Sequence, residues 1–250
     1  VVSHLLIYQE GNFNILGYGM LKHKSGAEKS MLKISECSNF TIETLHTDGN
    51  VGGNTTNDER VNQALDSTQI IRSSDFVIKN IYSVDPAGDS LYLNDVSNAK
   101  IGTITAKAEE ASGRNALSII KGKNITVDNV ISNNIGYGSM PGGIDLEPNY
   151  PTDNIQNVLI KEATIYTSAY EGCAVTNHAG AVVKDIEINA TITKPGGNPD
   201  GNAFKLNKVE NFKGNIICYY EGSNPGSGAI ITSSKNVNAK LEIYNAAIGI

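Results

Sequence analysis

The stretch from Gly142 to Asn149 reads GGIDLEPN and holds two carboxylic acids, Asp145 and Glu147, on either side of Leu146. Apolar residues at alternate positions are the pattern of a strand with one buried face and one outward face. If Ile144 and Leu146 point inward, Asp145 and Glu147 both face solvent, with Cα atoms about 6.6 Å apart at the ordinary strand rise. Splitting a glycosidic bond needs such a pair: one acid protonates the leaving oxygen, and the other activates water or attacks the sugar carbon. Inverting enzymes hold the two roughly 6.5–9.5 Å apart and retaining ones about 5–5.5 Å. Side chains can splay or converge, so the spacing admits both. Mutual repulsion should also raise one of the two pKa values, which suits a general acid. The plainer alternative is that both are solvated surface groups, or that Glu147 only orders the turn at Pro148-Asn149.

The frame that would position this strand is visible as a repeat. An Asn or Asp followed by an apolar or small residue recurs at Asn12, Asn39, Asp75, Asn98, Asn124, Asn157, Asp185, Asn211 and Asn236, at spacings of 27, 36, 23, 26, 33, 28, 26 and 25. Five residues before the anchor stand Ile7, Ile34, Ile70, Leu93, Ile119, Leu206 and Ile231, and seven before it Leu5, Leu32, Thr68, Leu91, Leu117, Phe204 and Ala229. The rule fails for Asn157 and Asp185. An insertion of six restores it for Asn157, because Ile144 and Leu146 lie thirteen and eleven residues upstream. Each unit therefore reads strand, tight turn, strand, with the Asn at a turn where left-handed backbone angles are tolerated and stacked amides can bond their neighbours. No 3.6-residue apolar stripe is sustained, which excludes helical solenoids. The expected fold is all-β: a right-handed, single-stranded parallel β-helix of about nine coils, one domain over residues 1–250, with no internal linker. Both ends break off within the pattern, so a fragment of a longer chain is expected.

The outward face singles out the acids. Where Asp145 and Glu147 stand, other coils carry Leu6/Tyr8, Lys33/Ser35, Gln69/Ile71, Tyr92/Asn94, Ser118/Ile120, Lys205/Asn207 and Ile230/Thr232. The longest interruptions of the repeat also cluster here: Ser132 to Gly142, Pro148 to Gln156, Tyr166 to Gly172 and Thr193 to Gly201. Long loops on a rigid scaffold are where binding residues concentrate. Tyr137, Tyr150 and Tyr170 on these loops are candidate sugar-stacking residues, although loop aromatics also pack down on coil surfaces. Arg114, one coil below by stacking, is a candidate clamp for an acidic sugar or a catalytic carboxylate; a surface pair with Glu109 or Glu110 is the alternative. Glu171, in the next coil, is a reserve acid. The loop from Asp48 to Leu65, with Asp58, Glu59 and Arg60, reads as a surface excursion.

Composition narrows the partners. The formal charge of −6 argues against nucleic acid as the main partner. No apolar run approaches the ~20 residues of a membrane span. Cys37, Cys173 and Cys218 are odd in number and far apart, which suits buried thiols rather than a disulfide framework. The four histidines (His4, His23, His46, His178) lack ligand spacing, and no calcium-loop motif occurs. Neither metal nor other cofactor is expected.

The segments RNALSIIKGKNITVDN (Arg114 to Asn129) and GGIDLEPN resemble the pectate-lyase-like β-helix of bacteriophage tailspikes and capsule depolymerases. In that family a "GID-x-EPN" strand follows an "R-x-G-I-S" strand one coil below. The fold resemblance spans the chain, and the motifs about a sixth of it. The resemblance implies a homotrimeric fibre on a virion tail, or otherwise extracellular, that binds and cleaves a bacterial surface polysaccharide. Asp145, Glu147 and Arg114 match the acids and the Arg of its motifs. Polygalacturonase signatures are missing, the nearest string being NHAG at Asn177 to Gly180, and so are the calcium-binding acids and catalytic Arg of true pectate lyases. Hydrolysis is therefore expected over elimination. A lyase acting on an acidic glycan and a non-catalytic adhesin or stalk remain the alternatives.

Overall fold

In the computed structural model of the chain, the described residues are 1–17, 19–54, 61–62, 64–137, 141–167, 169–195, 201–221 and 227–245. Asp58, Glu59 and Arg60 lie outside them, as do parts of the loops before Gly142 and before Gly201.

One coil shows how the sequence becomes structure. In the strand Leu91–Ser112, Leu91 and Leu93 point inward, the backbone swings through left-handed angles at Asp95 (φ 58°) and Asn98 (φ 54°), and Ala99, Ile101, Ile104 and Ala106 point inward again. Val96, within the turn, is buried in the core as well; the other residues between them face outward, so alternation is kept on each flat run and reset at the turn. The contacts with neighbouring coils are parallel, and in register along the flat runs apart from shifts at Asn94 and before Ser112 against the coil above: Leu91 lies over Thr68 and under Leu117, Ile101 over Ile78 and under Val127. The same pairing links Leu5–Tyr8, Leu32–Ser35, Thr68–Val84, Leu91–Ser112, Leu117–Ile135, Ile155–Tyr166, Val183–Pro195, Glu210–Glu221 and Lys235–Tyr244 in that order. Where loops split the later coils, shorter strands carry the first run: Ile144–Leu146, Glu171–Thr176, Asn202–Asn207 and Ser227–Thr232. The result is an all-β parallel solenoid. Its nine successive strands are joined by eight steps, so it has about eight turns rather than nine. The four-residue Val51–Asn54 is the one α-helix among the described residues, and none there is long and apolar enough to cross a membrane.

All nine repeat anchors have φ between 53° and 57°. Their side chains stack into an amide column: Asn98 Nδ2 donates to Asp75 Oδ1 at 2.9 Å, Asn124 to Asn98 at 2.9 Å, Asn157 to Asn124 at 2.9 Å, Asn211 to Asp185 at 2.8 Å and Asn236 to Asn211 at 2.9 Å. A carboxylate has no N–H, so each Asp starts a new run. Beside the column, the rings of Phe13, Phe40 and Phe76 stack at 4.9 Å. A main apolar core runs the length of the coil, with Leu93, Ile119 and Leu206 wholly buried, and Val51, Leu65 and Ala87 form a small separate cluster. The three cysteines are free and buried within it.

Asn124 donates downward, accepts from above and sits at φ 57°. Asn124→Ala should cost about 1–3 kcal/mol, from a left-handed backbone without glycine or asparagine and from two lost hydrogen bonds. Asn124→Gly should recover the backbone share alone. The urea midpoints of the two variants check this; equal midpoints would separate the turn's cost from its backbone angle.

Candidate functional site

The site strand is short for local reasons. Gly142 has φ 92°, and a Cβ there would lie 2.4 Å from the Ile135 carbonyl oxygen; at Gly143 it would lie 2.2 Å from that of Gly172. Only glycine lets the chain re-enter the stack this tightly. The re-entry is pinned by Ser132 Oγ donating to the Gly142 carbonyl at 2.9 Å and by the Gly142 N–H donating to Asn115 Oδ1 at 3.1 Å. Ile144–Leu146 then pairs with Leu117–Ile119 below and Cys173–Val175 above. The Glu147 N–H makes one further bond, to the Ile119 carbonyl at 3.1 Å. Pro148 has no N–H to offer next, and the chain leaves the stack.

Asp145 occupies the outward face, over Ser118 and under Ala174, but it does not face solvent: it is only 2% exposed. The expectation of a solvated pair is corrected for this residue, because facing away from the coil interior does not prevent neighbouring side chains from closing over a group. Burial first, then the charges of Glu147 and Asp89, hold its carboxyl well above the usual carboxylate range, against the opposing pull of Arg114. Its Oδ1 has no hydrogen-bond partner. Glu147 is half-exposed, its side chain at 37%, with Oε1 4.0 Å from Nε2 of the exposed His178. The loop bearing His178 is fixed by Asn177, which donates to the Ala181 carbonyl at 2.7 Å and accepts the Ala181 N–H at 2.9 Å. His178 enters the site without having been expected there; the NHAG string was its only trace in the sequence.

A second feature was not anticipated. Two residues before the inward-facing Thr68, Leu91 and Leu117, a column of polar side chains lines a corner of the coil. Asp66 Oδ1 accepts the Asp89 N–H at 2.8 Å, Asp89 Oδ1 accepts the Asn115 N–H at 3.1 Å, and Asn115 Oδ1 accepts the Gly142 N–H. All three side chains are buried. Arg114 meets this column: its Nη1 lies 3.7 Å from Asp89 Oδ2, so Asp89 is the ion-pair partner in place of Glu109 or Glu110. Burial works against the Arg114 charge, but Asp89, Asp145, Asp66 and Glu147 together raise its pKa. Arg114, Asp145 and Glu147 therefore share one electrostatic neighbourhood. Tyr92, two coils below Asp145 in the same outward row, feels Asp66 and Asp89 as well.

Glu171 is buried in the coil above, and its Oε1 accepts from Lys205 Nζ at 3.2 Å; burial raises its carboxyl in spite of Lys205. Lys194 stands at an inward position after Ala190 and Ile192, wholly buried. Its ammonium donates to the Ala169 carbonyl and, at 3.1 Å, to that of Tyr170, and burial lowers its pKa to about 8. Of the tyrosines, Tyr150 is exposed (67%) on the turn closed by Asp153, whereas Tyr137 and Tyr170 are half-buried at coil edges. Only Tyr150 presents most of its surface to a ligand. A groove of about 540 Å³ lies elsewhere, between Lys79, Lys100, Asp128 and Lys161 on the second run of the coils. Among the described residues no group of three or more His, Cys, Asp or Glu side chains could hold a metal ion.

In comparisons with known proteins, no family model, no curated protein and no solved structure matches the chain.

The stacked acids make stability pH-dependent. Burial, then the Asp89 charge, push the Asp66 carboxyl from 3.8 up to about 7. Such a group favours folding fully below its unfolded pKa and loses that contribution as pH rises through the folded value. Raising pH from about 4 to 7 should therefore lower the melting temperature, and Asp66→Asn, which keeps the ladder oxygen, should flatten the slope. Melting curves of both proteins at pH 4, 5.5 and 7 check this; parallel slopes would place the titration elsewhere.

Proposed function

We propose that the protein is a glycoside hydrolase that cleaves a bacterial surface polysaccharide, with Asp145 as general acid and Glu147 as base or nucleophile. The observation that carries this reading is the unlike surroundings of two acids on one strand. Asp145 is enclosed, with its carboxyl pushed well above the usual carboxylate range by burial, and Glu147 is open to water beside His178. Two carboxyl groups in surroundings this unlike can divide the acid and base roles. In the reaction Asp145 gives its proton to the glycosidic oxygen as the C–O bond breaks. Glu147 either takes a proton from the water that attacks the sugar carbon or attacks that carbon itself. A bound chain must displace the side chains above Asp145 to reach it. The carboxyl gives up little in that move, because Oδ1 has no hydrogen bond to lose.

The "GID-x-EPN" resemblance and the solenoid fold support a tailspike-type depolymerase, wound right-handed and carried on a virion or otherwise outside the cell. Tyr150, the most exposed of the three tyrosines, is the residue we assign to stacking on sugar, with Tyr137, Tyr170, Arg114 and Glu171 as further substrate-binding residues.

Asp145→Asn and Glu147→Gln should each lower the release of reducing ends from capsule, lipopolysaccharide or teichoic-acid preparations by about 10²–10⁴-fold, with glycan binding retained. New ultraviolet absorbance from unsaturated ends would mark a lyase instead. Binding without any release would mark an adhesin. Parent-rate cleavage by both variants would move the site to Glu171 and its loop.

Assembly as a homotrimer follows from the same resemblance and from the slender form of a single coil, which has little core for its surface. Light scattering of the full-length protein should give three times the chain mass; a stable monomer would remove the claim.

A further inference from the structure

Three rungs of the corner column do one backbone job with two kinds of side chain. Asp66, Asp89 and Asn115 each offer Oδ1 to the N–H of the residue one coil above. Asn115 shows that an amide oxygen suffices for the rung. A carboxyl group at Asp89 is therefore more than the ladder requires, and its second oxygen is free of the rung: Oδ2 is buried, has no hydrogen bond and lies 3.7 Å from Arg114 Nη1, whose charge opposes the upward push of burial on the Asp89 carboxyl. Arg114 Nε and Asp145 Oδ1 are also buried without hydrogen-bond partners. One cation thus stands between an acid on the coil below and an acid on the coil above.

We propose that Asp89 is a positioning residue of the acid site: it draws the Arg114 guanidinium toward the lower coil and so withholds that cation from Asp145 on the upper one. The proposal deepens the hydrolase reading and rests on it for the catalytic meaning of Asp145. The charged and titratable groups that face Asp145 are Glu147 on its own strand, Asp89 and Arg114 from below, and Glu171 from above, with the Cys173 thiol beside it. Glu171 has its own cation in Lys205, also faces Lys194, and does not draw on Arg114 for its pairing. Among the described residues Arg114 is then the one guanidinium set against Asp89, Asp145 and Glu147, with the His178 ring on the far side at Glu147, and its place decides the balance. Asp89 acts twice in the same direction. Its negative charge repels a second one at Asp145, and its hold on Arg114 removes the nearest compensation.

Because both effects have one sign, substitution gives a clear reading. In the full chain labelled with ¹³C at aspartate carboxyl carbons, the Asp145 titration, assigned by its loss in Asp145→Asn, should move down by about one pH unit or more in Asp89→Asn. It should move up in Arg114→Gln and shift much less in Asp66→Asn, whose rung is one coil further away. A folded Asp89→Asn protein in which Asp145 titrates unchanged, or higher, overturns the proposal. If Asp89→Asn does not fold, Arg114→Gln decides, and an unmoved Asp145 there overturns it as well. The titration needs no glycan, so its failure is distinct from failure to cleave polysaccharide. In an active protein the alkaline limb of the pH–rate profile should follow the carboxyl downward in Asp89→Asn, which a merely structural role would not produce.

Discussion

In-register parallel pairing between coils is the constraint from which the other features follow. Once Leu117 must lie over Leu91 and under Ile144, each side chain meets its counterpart one coil away, at a strand spacing of about 4.8 Å. Apolar columns gain from this, as the stacked rings of Phe13, Phe40 and Phe76 do. Amides gain too, because each is both donor and acceptor. Carboxylates lose, because an acid over an acid can neither donate nor move away. The fold then has two remedies, a proton or a counter-ion. Asp66, Asp89, Asp145 and Arg114 use both.

How far this was legible in the sequence depends on which interaction is asked about. The anchors at Asn98, Asn124 and Asn211 were readable because a left-handed turn favours few residue types, and their spacing carried over directly into the amide column. Alternation placed Asp145 on the outward face correctly. Its burial was not readable, since that depends on side chains arriving from other coils. Arg114 makes the same point: its partner Asp89 is 25 residues away in sequence and one coil away in space. The corner column did leave a signal, in Asp66-Ser67-Thr68, Asp89-Ser90-Leu91 and Asn115-Ala116-Leu117, but it lies before the strand positions that define the repeat. No repeat pattern could have shown that the loop after Thr176 folds back to set His178 against Glu147.

The candidate site lies where the solenoid is least regular. Ile144–Leu146 is three residues long, between Leu117–Ile135 below and Glu171–Thr176 above. Regular coils hold it in place from both sides, and the glycine pair and Pro148 release the chain from the stack at either end. Cations flank it on different coils: the partly exposed Arg114 under the acids, and the buried Lys194 at the inward end of its strand, tied to the carbonyls that lead into Glu171. Rigid support beneath and above a short irregular segment lets acids be held at fixed distances without a long ordered loop.

The amide column also bears on how such a molecule can lengthen over generations. Every donor in it points toward the lower-numbered coil, and the runs begin at Asp75 and Asp185. A gene duplication copying residues 98–123 would insert one more Asn, which accepts from above and donates below, and the column would close over the joint. Copying residues 75–97 would set one carboxylate over another with no N–H between them. Descent can therefore add coils freely within a run of asparagines, while the two aspartates mark the joints where growth meets resistance.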